Sequence, residues 1–244
     1  MKSTKEQLLS RGFAFDEDIE LYKNCRESEL LNLLHDQDAH KRTIAIKLLS
    51  KNPKEKYIPI FCEMLKSGEK LYTKLELQNA LKEYGEKAIP YLLPLLGKIG
   101  NNQHKKIEIV DINKKSYPCP RDIVGMILIR IGPKVFPELT KLLTEDKNTI
   151  QIYQAIDIIG HITWNFRDFS MEKILLDYYN KHKDNEFIQW KIIRAFQSFN
   201  SAEILKILNN TVREYVKEYK DEYKNGIIAE EAKRSINRIE NRPV

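Results

Sequence analysis

The sequence predicts an all-α fold: a right-handed α-α superhelix, or solenoid, of about five stacked helical hairpins with capping helices at both ends and one ordered insertion. Three observations predict it. Apolar residues recur at steps of three and four, as in amphipathic helices, while strand-like alternation is nearly absent. A proline-containing motif occurs three times. A second motif marks five helix ends. Recurring motifs of this kind indicate structural repeats, which stack so that neighbouring repeats bury a continuous core between them.

The proline motif consists of Lys, two apolar residues, Pro and an apolar run that ends in Leu. It occurs as "KYIPIFCEML" (56–65), "KAIPYLLPLL" (87–96) and "KVFPELTKLL" (134–143). A proline inside a helix removes one backbone hydrogen bond and kinks the chain. We therefore expect the first helix of successive hairpins to bend at Pro59, Pro90 and Pro137, so that the stack curves. Pro133 is different, because it fits the first turn of a helix.

The helix-end motif occurs as "AIKLLS" (45–50), "ALKEYG" (80–85), "ILIRIG" (127–132), "AIDIIG" (155–160) and "AFQSFN" (195–200). Three copies end in Gly and one in Asn, the residues that best tolerate a positive φ at a helix end. The copies start at unequal intervals, which indicates repeats with loops of variable length. Each repeat is predicted to be a hairpin whose second helix ends in this motif.

The domain organisation follows from these motifs. We interpret residues 1–244 as one domain, with an N-terminal cap over 1–25, repeats over 26–200 and C-terminal capping helices over 201–244. Compared with the spacing between the first two proline motifs, the third lies sixteen residues further along the chain. This extra length matches an insertion over 101–116. Because Ile107, Ile109 and Ile112 nearly alternate there, a short β-hairpin is expected.

The two caps are predicted from their own patterns. The N-terminal segment contains two short helical patterns. Near the C-terminus, an amphipathic stripe over 203–223 predicts a long helix, "KNG" (224–226) is expected to break it, and a last helix follows. Terminal repeats have to cover the open ends of the core.

One stretch, "LLHDQDAHKRTIAIKLL" (33–49), resembles the HEAT repeats, and specifically the short bacterial class named after phycobilisome lyases. The resemblance implies that Asp36 or Asp38 caps the second helix and that Arg42 braces the turn. It extends over about residues 26–210, although the fourth repeat has Gln151 near the Arg position and the second has "KSGEKLYTK" in place of the acidic turn. It implies a fold, and no lyase activity is carried over.

Composition narrows the function classes. The chain has 244 residues and a formal net charge of +6, of which residues 98–121 carry +4 through six basic and two acidic side chains. Cys25, Cys62 and Cys119 are too few and too widely spaced for a disulfide framework or a zinc site. The start of the chain has no signal-peptide core, and no apolar run reaches membrane-spanning length, so a cytoplasmic location is expected.

The sequence lacks the patterns of common catalytic sites. Its five histidines are scattered, and it has neither a glycine-rich phosphate loop nor a Gly-x-Ser-x-Gly turn. Cys119, between Pro118 and Pro120, has only His104 as a candidate base nearby. We expect Pro120 to open the next helix, with Asp122 in its first turn. The prediction is a protein that is not an enzyme and that needs no cofactor or metal.

The sequence therefore favours a non-enzymatic scaffold that binds another protein, for example through an acidic segment of that partner. Loops carry function more often than scaffold positions do. The first candidate surface is the basic insertion and its exit, namely Lys105, Lys106, Lys114, Lys115, Tyr117 and Arg121. The second is the turn after the fourth repeat, namely Trp164, Asn165, Arg167 and Asp168.

The alternative is a nucleic-acid-binding protein related to the alkylpurine DNA glycosylases, which are also built from HEAT-like repeats. The resemblance implies tryptophans and an Asp on the concave surface, for which this chain offers Trp164 and Trp190. The paired-Trp motif of those enzymes is missing here. The competing interpretation of both tryptophans is that they pack in the core between repeats.

Overall fold

A computed structural model describes residues 3–107, 117–218 and 223–242. Within these ranges, only the backbone is described for 215–218 and 223–225. Within these ranges the chain forms fourteen α-helices and three short 3₁₀ helices, and no strand. The predicted all-α class is confirmed for this part of the chain. The helices fall into two compact units, Met1–Gly100 and Asn101–Val244, where the sequence interpretation has one domain.

The first unit contains seven α-helices. Their bounds are α1 Lys5–Ser10, α2 Asp16–Tyr22, α3 Glu27–Leu33, α4 Ala39–Ser50, α5 Tyr57–Lys66, α6 Leu71–Glu83 and α7 Ile89–Leu92, with 3₁₀ helices at Gly85–Ala88 and Leu93–Leu95.

The second unit contains the other seven α-helices. Their bounds are α8 Ile123–Ile131, α9 Phe136–Glu145, α10 Thr149–Phe166, α11 Glu172–Lys181, α12 Glu186–Phe196, α13 Ala202–Glu218 and α14 Tyr223–Glu240, with a 3₁₀ helix at Pro133–Val135.

Many consecutive helices pack against each other as pairs in both units. α3 packs on α4 and α5 on α6 in the first unit, while α9 packs on α10, α11 on α12 and α13 on α14 in the second. The second helices of successive pairs also touch: α4 packs on α6, and α10 packs on α8 and on α12, which packs on α14. Because α12 has neighbours on several sides, it is buried from Ile188 to Phe196.

The three motif prolines occupy equivalent positions, but the prediction that they kink helices from inside is wrong. Pro59, Pro90 and Pro137 lie in the first turns of α5, α7 and α9, and each is exposed directly after two buried residues. The backbone N–H groups of a first turn have no partner within the helix, so a proline there costs little. Pro133 starts a 3₁₀ helix, as expected for a first-turn proline.

The predicted helix ends are partly confirmed. α4 ends at Ser50, and Gly85 and Gly132 adopt φ of 55° and 84° just after α6 and α8. Gly160, however, lies inside α10, which continues to Phe166, and α12 ends at Phe196 instead of Asn200. Gly160 is small for another reason: a methyl group there would overlap the Tyr117 hydroxyl and lie 3.1 Å from the Ala195 Cα.

Side-chain caps fix the starts of four second helices. The Asp38 side chain accepts from the His40 N–H at α4, as the resemblance implies, and Asp122, Asn148 and Asn185 cap α8, α10 and α12 in the same way. Each such cap stabilises a helix by roughly 1 kcal/mol. α6 starts without a side-chain cap, in agreement with the departure of "KSGEKLYTK" from the acidic turn.

Arg42 braces the turn between α3 and α4, as the resemblance also implies. Its Nη1 donates to the Asp36 and Gln37 carbonyl oxygens at 2.6 and 3.0 Å. Its Nη2 donates to the Glu69 carboxylate at 2.7 Å, which ties this turn to the one between α5 and α6. Successive hairpins of the first unit are thus joined through their turns as well as through α4 and α6.

The ends of the chain match the sequence interpretation only in part. The two short N-terminal helices are confirmed as α1 and α2. At the other end, Ile204 and Leu208 of the predicted stripe are fully buried. The segment 224–226, however, lies within α14 and does not break a helix. The expected β-hairpin falls mostly on 108–116, outside the described residues.

Candidate binding site

Three of the predicted basic residues surround one open cleft in the second unit. Lys105, Lys106 and Arg121 are exposed and line a cavity of about 770 Å³. The other described residues of its lining are three amide side chains, one proline and one methionine: Asn101, Asn102, Gln103, Pro120 and Met126. Three cations and three amides make this a surface that favours anionic groups.

The start of α8 holds the two sides of this basic cleft together. Asp122 is fully buried, and its Oδ1 accepts from the Gly125 N–H at 2.9 Å. Its Oδ2 accepts from the Gln103 Nε2 at 2.9 Å, which joins the segment 101–107 to the helix start. Asp122 is therefore the cap of α8 and not part of its first turn, and α8 begins at Ile123, three residues after Pro120.

Tyr117 lies beneath the surface instead of on it, because its side chain is only 4% exposed. Its ring meets His161 edge to face at 5.6 Å and Trp164 at 6.1 Å, and its hydroxyl packs on Gly160. An aromatic residue that follows the insertion thus fills the space left by a glycine on α10. Tyr117 is not available for surface recognition, and Lys114 and Lys115 lie outside the described residues.

The second predicted surface is the C-terminal end of α10, where three of the four residues have local structural roles. Arg167 ends the helix with φ of 58°. Asn165 Nδ2 donates to the His161 carbonyl oxygen at 2.9 Å, and Asp168 Oδ1 accepts from the Ser170 N–H at 3.0 Å. These contacts shape the turn between α10 and α11.

Trp164 is half-buried and covered by the end of the chain. The Arg242 guanidinium lies over its ring, with Cζ 4.3 Å from the ring centroid, and donates to the Trp164 carbonyl oxygen at 2.6 Å. Burial, together with the charge of Arg167, lowers the pKa of Arg242 to about 10. Trp190, the other indole, is fully buried, so neither tryptophan lies free on the surface.

Sequence reasoning missed a buried charged network on α10, α12 and α14. Lys191 is 0% exposed, and its Nζ lies 2.5 Å from Asp157 Oδ2. One turn further along α12, Arg194 faces Glu231, which also accepts from Arg234. The sequence does contain a signal: the apolar stretch "FIQWKIIRAF" holds two basic residues, Lys191 and Arg194. Its apolar residues leave no polar helix face on which these two charges would be exposed.

The environment of this network shifts its titrations. Burial lowers the pKa of Lys191, against the attraction of Asp157. Burial acts to raise the pKa of Asp157, but the charges of Lys191 and Arg194 outweigh it and hold that pKa below its usual range. His104 meets Trp190 edge to face at 5.2 Å, and burial lowers its pKa to about 4.

The structure adds little that would suggest other chemistry. Across the described ranges, no three His, Cys, Asp or Glu side chains are grouped so that they could hold a metal ion. Cys119 is exposed, and burial raises the pKa of Cys62 to about 12. In the same part of the chain, no helix combines the length and apolar character that crossing a membrane requires.

Comparison of the chain with protein-family models, with curated proteins and with solved structures finds no match in any of the three. The HEAT-like interpretation therefore stays a prediction that depends on the motifs and on the local packing of the hairpins.

Proposed function

We propose that this chain is a non-enzymatic binding protein with a HEAT-like solenoid arrangement, and that its basic cleft binds an extended acidic segment of another protein. One observation carries the proposal: Lys105, Lys106 and Arg121, which are up to sixteen positions apart in the sequence, line a single cavity of about 770 Å³. An open cavity of that size accommodates several side chains of an extended partner.

The chemistry of the cleft favours carboxylates. Its cations attract negative charge over a distance set by the ionic strength, about 10 Å at 0.1 M salt. The neighbouring amides of Asn101, Asn102 and Gln103 donate hydrogen bonds that also suit carboxylate oxygens and backbone carbonyls. This combination of charge and amide donors fits a peptide that presents both kinds of acceptor.

A nucleic acid is the less favoured ligand because no aromatic residue lines the cleft among the residues that the structure describes. Proteins that bind single strands combine basic grooves with aromatic platforms on which bases stack. Here Trp190 is buried and Trp164 lies under Arg242. These positions also weigh against the glycosylase alternative, which needs an indole in an open groove beside a carboxylate.

The test is a titration of the full chain with a fluorescent twelve-residue peptide rich in Glu and Asp, and with its Gln and Asn counterpart. We expect saturable, salt-sensitive binding of the acidic peptide alone. The variant Lys105→Glu/Lys106→Glu should weaken it about tenfold or more, because rim charges steer association. The matched control is Lys141→Glu/Lys173→Glu, which reverses two exposed lysines of the same unit that lie outside the cleft.

Two results would contradict the proposal. One is an equal loss of peptide binding in the Lys105→Glu/Lys106→Glu variant and in the control variant, which would mean that only the net charge of the protein matters. The other is binding of DNA or RNA oligonucleotides that is lost in the Lys105→Glu/Lys106→Glu variant while the acidic peptide does not bind. That second result would assign the cleft to phosphate backbones.

A further inference from the structure

Among the described residues, the buried network of the second unit contains more cations than carboxylates. Its members are Lys191, Arg194 and Arg234 on the positive side and Asp157 and Glu231 on the negative side, all at most 5% exposed. Asp122, the other buried carboxylate in the described part of the unit, is bound to the start of α8 and to Gln103. A buried charge without a counter-ion costs several kcal/mol in general, so the additional cation needs an explanation.

Arg194 has the least satisfied guanidinium of the network. Its Nε and Nη2, on one edge of the group, have no hydrogen-bond acceptor among the described residues. A carboxylate does lie near this edge, that of Glu231, but its Oε1 is 3.8 Å from Nε, beyond hydrogen-bond distance. That oxygen already accepts from both Nε and Nη2 of Arg234. The Nε–Nη2 edge of an arginine is the fork that binds two oxygens of one oxyanion.

The surroundings of Arg194 fix this fork in place. Its Cζ lies 4.0 Å from the centroid of the Trp190 ring, so the guanidinium is stacked and oriented. Further donor groups in the same unit also lack partners in the described part of the chain, namely the Trp190 Nε1, the Tyr117 hydroxyl and the Arg234 Nη1. The Tyr117 hydroxyl lies close to α12 because it packs on Gly160 of α10. Gly160 in turn faces Ala195 of α12, the residue that follows Arg194.

We infer that the interior of the second unit binds a small inorganic oxyanion of the phosphate or sulfate class on the Nε–Nη2 edge of Arg194. Two oxygens of such an ion match the two parallel N–H groups, whereas a chloride ion offers one centre. Arg194 is 2% exposed and Arg234 is 3% exposed, so the site is enclosed and excludes a peptide or a nucleic acid. The ion would supply the negative charge that the network lacks. This inference is independent of the basic cleft.

The experiment is thermal unfolding of the full chain, freed of phosphate, in increasing inorganic phosphate against chloride at equal ionic strength. Ligands that bind only the native state raise the Tm, by roughly 5–10 °C at a hundredfold excess over Kd for a chain of this size. Phosphate also stabilises proteins in general by exclusion from their surface, and that part rises without saturation. The inference predicts an additional rise that saturates.

Two variants separate the site from its surroundings. Arg194→Lys keeps the charge but removes the fork, so it should lose the saturable rise, with an affinity at least about tenfold weaker. Arg213→Lys, an exposed arginine of the same unit, should behave as the natural chain does. A saturable rise of the same size in Arg194→Lys would overturn the inference. So would the absence of a saturable rise in the natural chain, which would mean that Glu231 pairs with both arginines.

If Arg194→Lys does not fold, isothermal titration of the natural chain with inorganic phosphate decides. Saturable heat with one site per chain supports the inference, and heat no larger than that of dilution contradicts it.

Discussion

The buried pair of Lys191 and Asp157 allows a quantitative test of the second unit. The perturbation is Lys191→Met, which removes the ammonium but keeps a chain of similar length. Lys191 is 0% exposed, and its Nζ lies 2.5 Å from Asp157 Oδ2, in a region where water cannot replace it. Asp157 would then keep the more distant charge of Arg194, since His104 is neutral near pH 7.

Removing one partner of a buried ion pair costs about 3–5 kcal/mol, because the other charge stays buried. We expect the lower end of this range, about 3 kcal/mol, since Arg194 still compensates part of the Asp157 charge. For a chain of this size that corresponds to a Tm lower by about 6–12 °C. The double variant Asp157→Leu/Lys191→Met should regain most of the loss, because replacing both charges by apolar groups is often neutral.

Tryptophan fluorescence during urea unfolding is a suitable assay. The two tryptophans, Trp164 and Trp190, both belong to the second unit, so the signal reports on that unit alone. Measurements in phosphate-free buffer keep any bound oxyanion out of the comparison. A loss below about 1 kcal/mol in Lys191→Met, or a double variant as unstable as the single one, would refute the buried-pair interpretation.

Three further predictions concern the same unit. Gly160→Ala should destabilise it by about 1–3 kcal/mol through overlap with the Tyr117 hydroxyl, and less in a Tyr117→Phe background; equal losses in both backgrounds would contradict the contact. Asn185→Ala should cost about 1 kcal/mol by removing the cap of α12, while Asn185→Asp should keep the stability of the natural chain in urea unfolding. Burial lowers the pKa of His104 to about 4, and histidine in an unfolded chain has a pKa near 6.5. On acidification the unfolded state therefore binds the proton first, so His104 should cost stability as the pH falls from about 6.5 to 4, by at most about 3 kcal/mol. His104→Gln should remove that part of the pH dependence, and an unchanged pH profile of urea unfolding would contradict it.

Local sequence patterns predicted the helices well because they depend on neighbours in the chain. The motif around Pro59, Pro90 and Pro137 correctly marked the starts of three helices. The predicted position of each proline inside its helix was wrong, because each α-helix begins only one or two residues before its proline. A tighter turn comes before each of these α-helices, and the sequence does not reveal its length. Each of these three prolines is therefore accommodated in the first turn of its helix.

The candidate sites depend on contacts between distant residues, and here the sequence was less informative. Charge counting identified Lys105, Lys106 and Arg121, but the cleft that they share depends on the bond between Gln103 and Asp122. The burial of Tyr117 could not be predicted, since it requires a glycine on α10. The network around Lys191 was missed because its carboxylates lie on other helices.

The account centres on the basic cleft, and hydrogen exchange of the full chain with and without the acidic peptide tests it most directly. We expect the peptide to slow exchange over 101–107 and 117–126, the described segments that line or flank the cleft, and to leave α11 to α14 unchanged. Slower exchange confined to α11 to α14, or no change at a peptide concentration that saturates binding, would contradict the account.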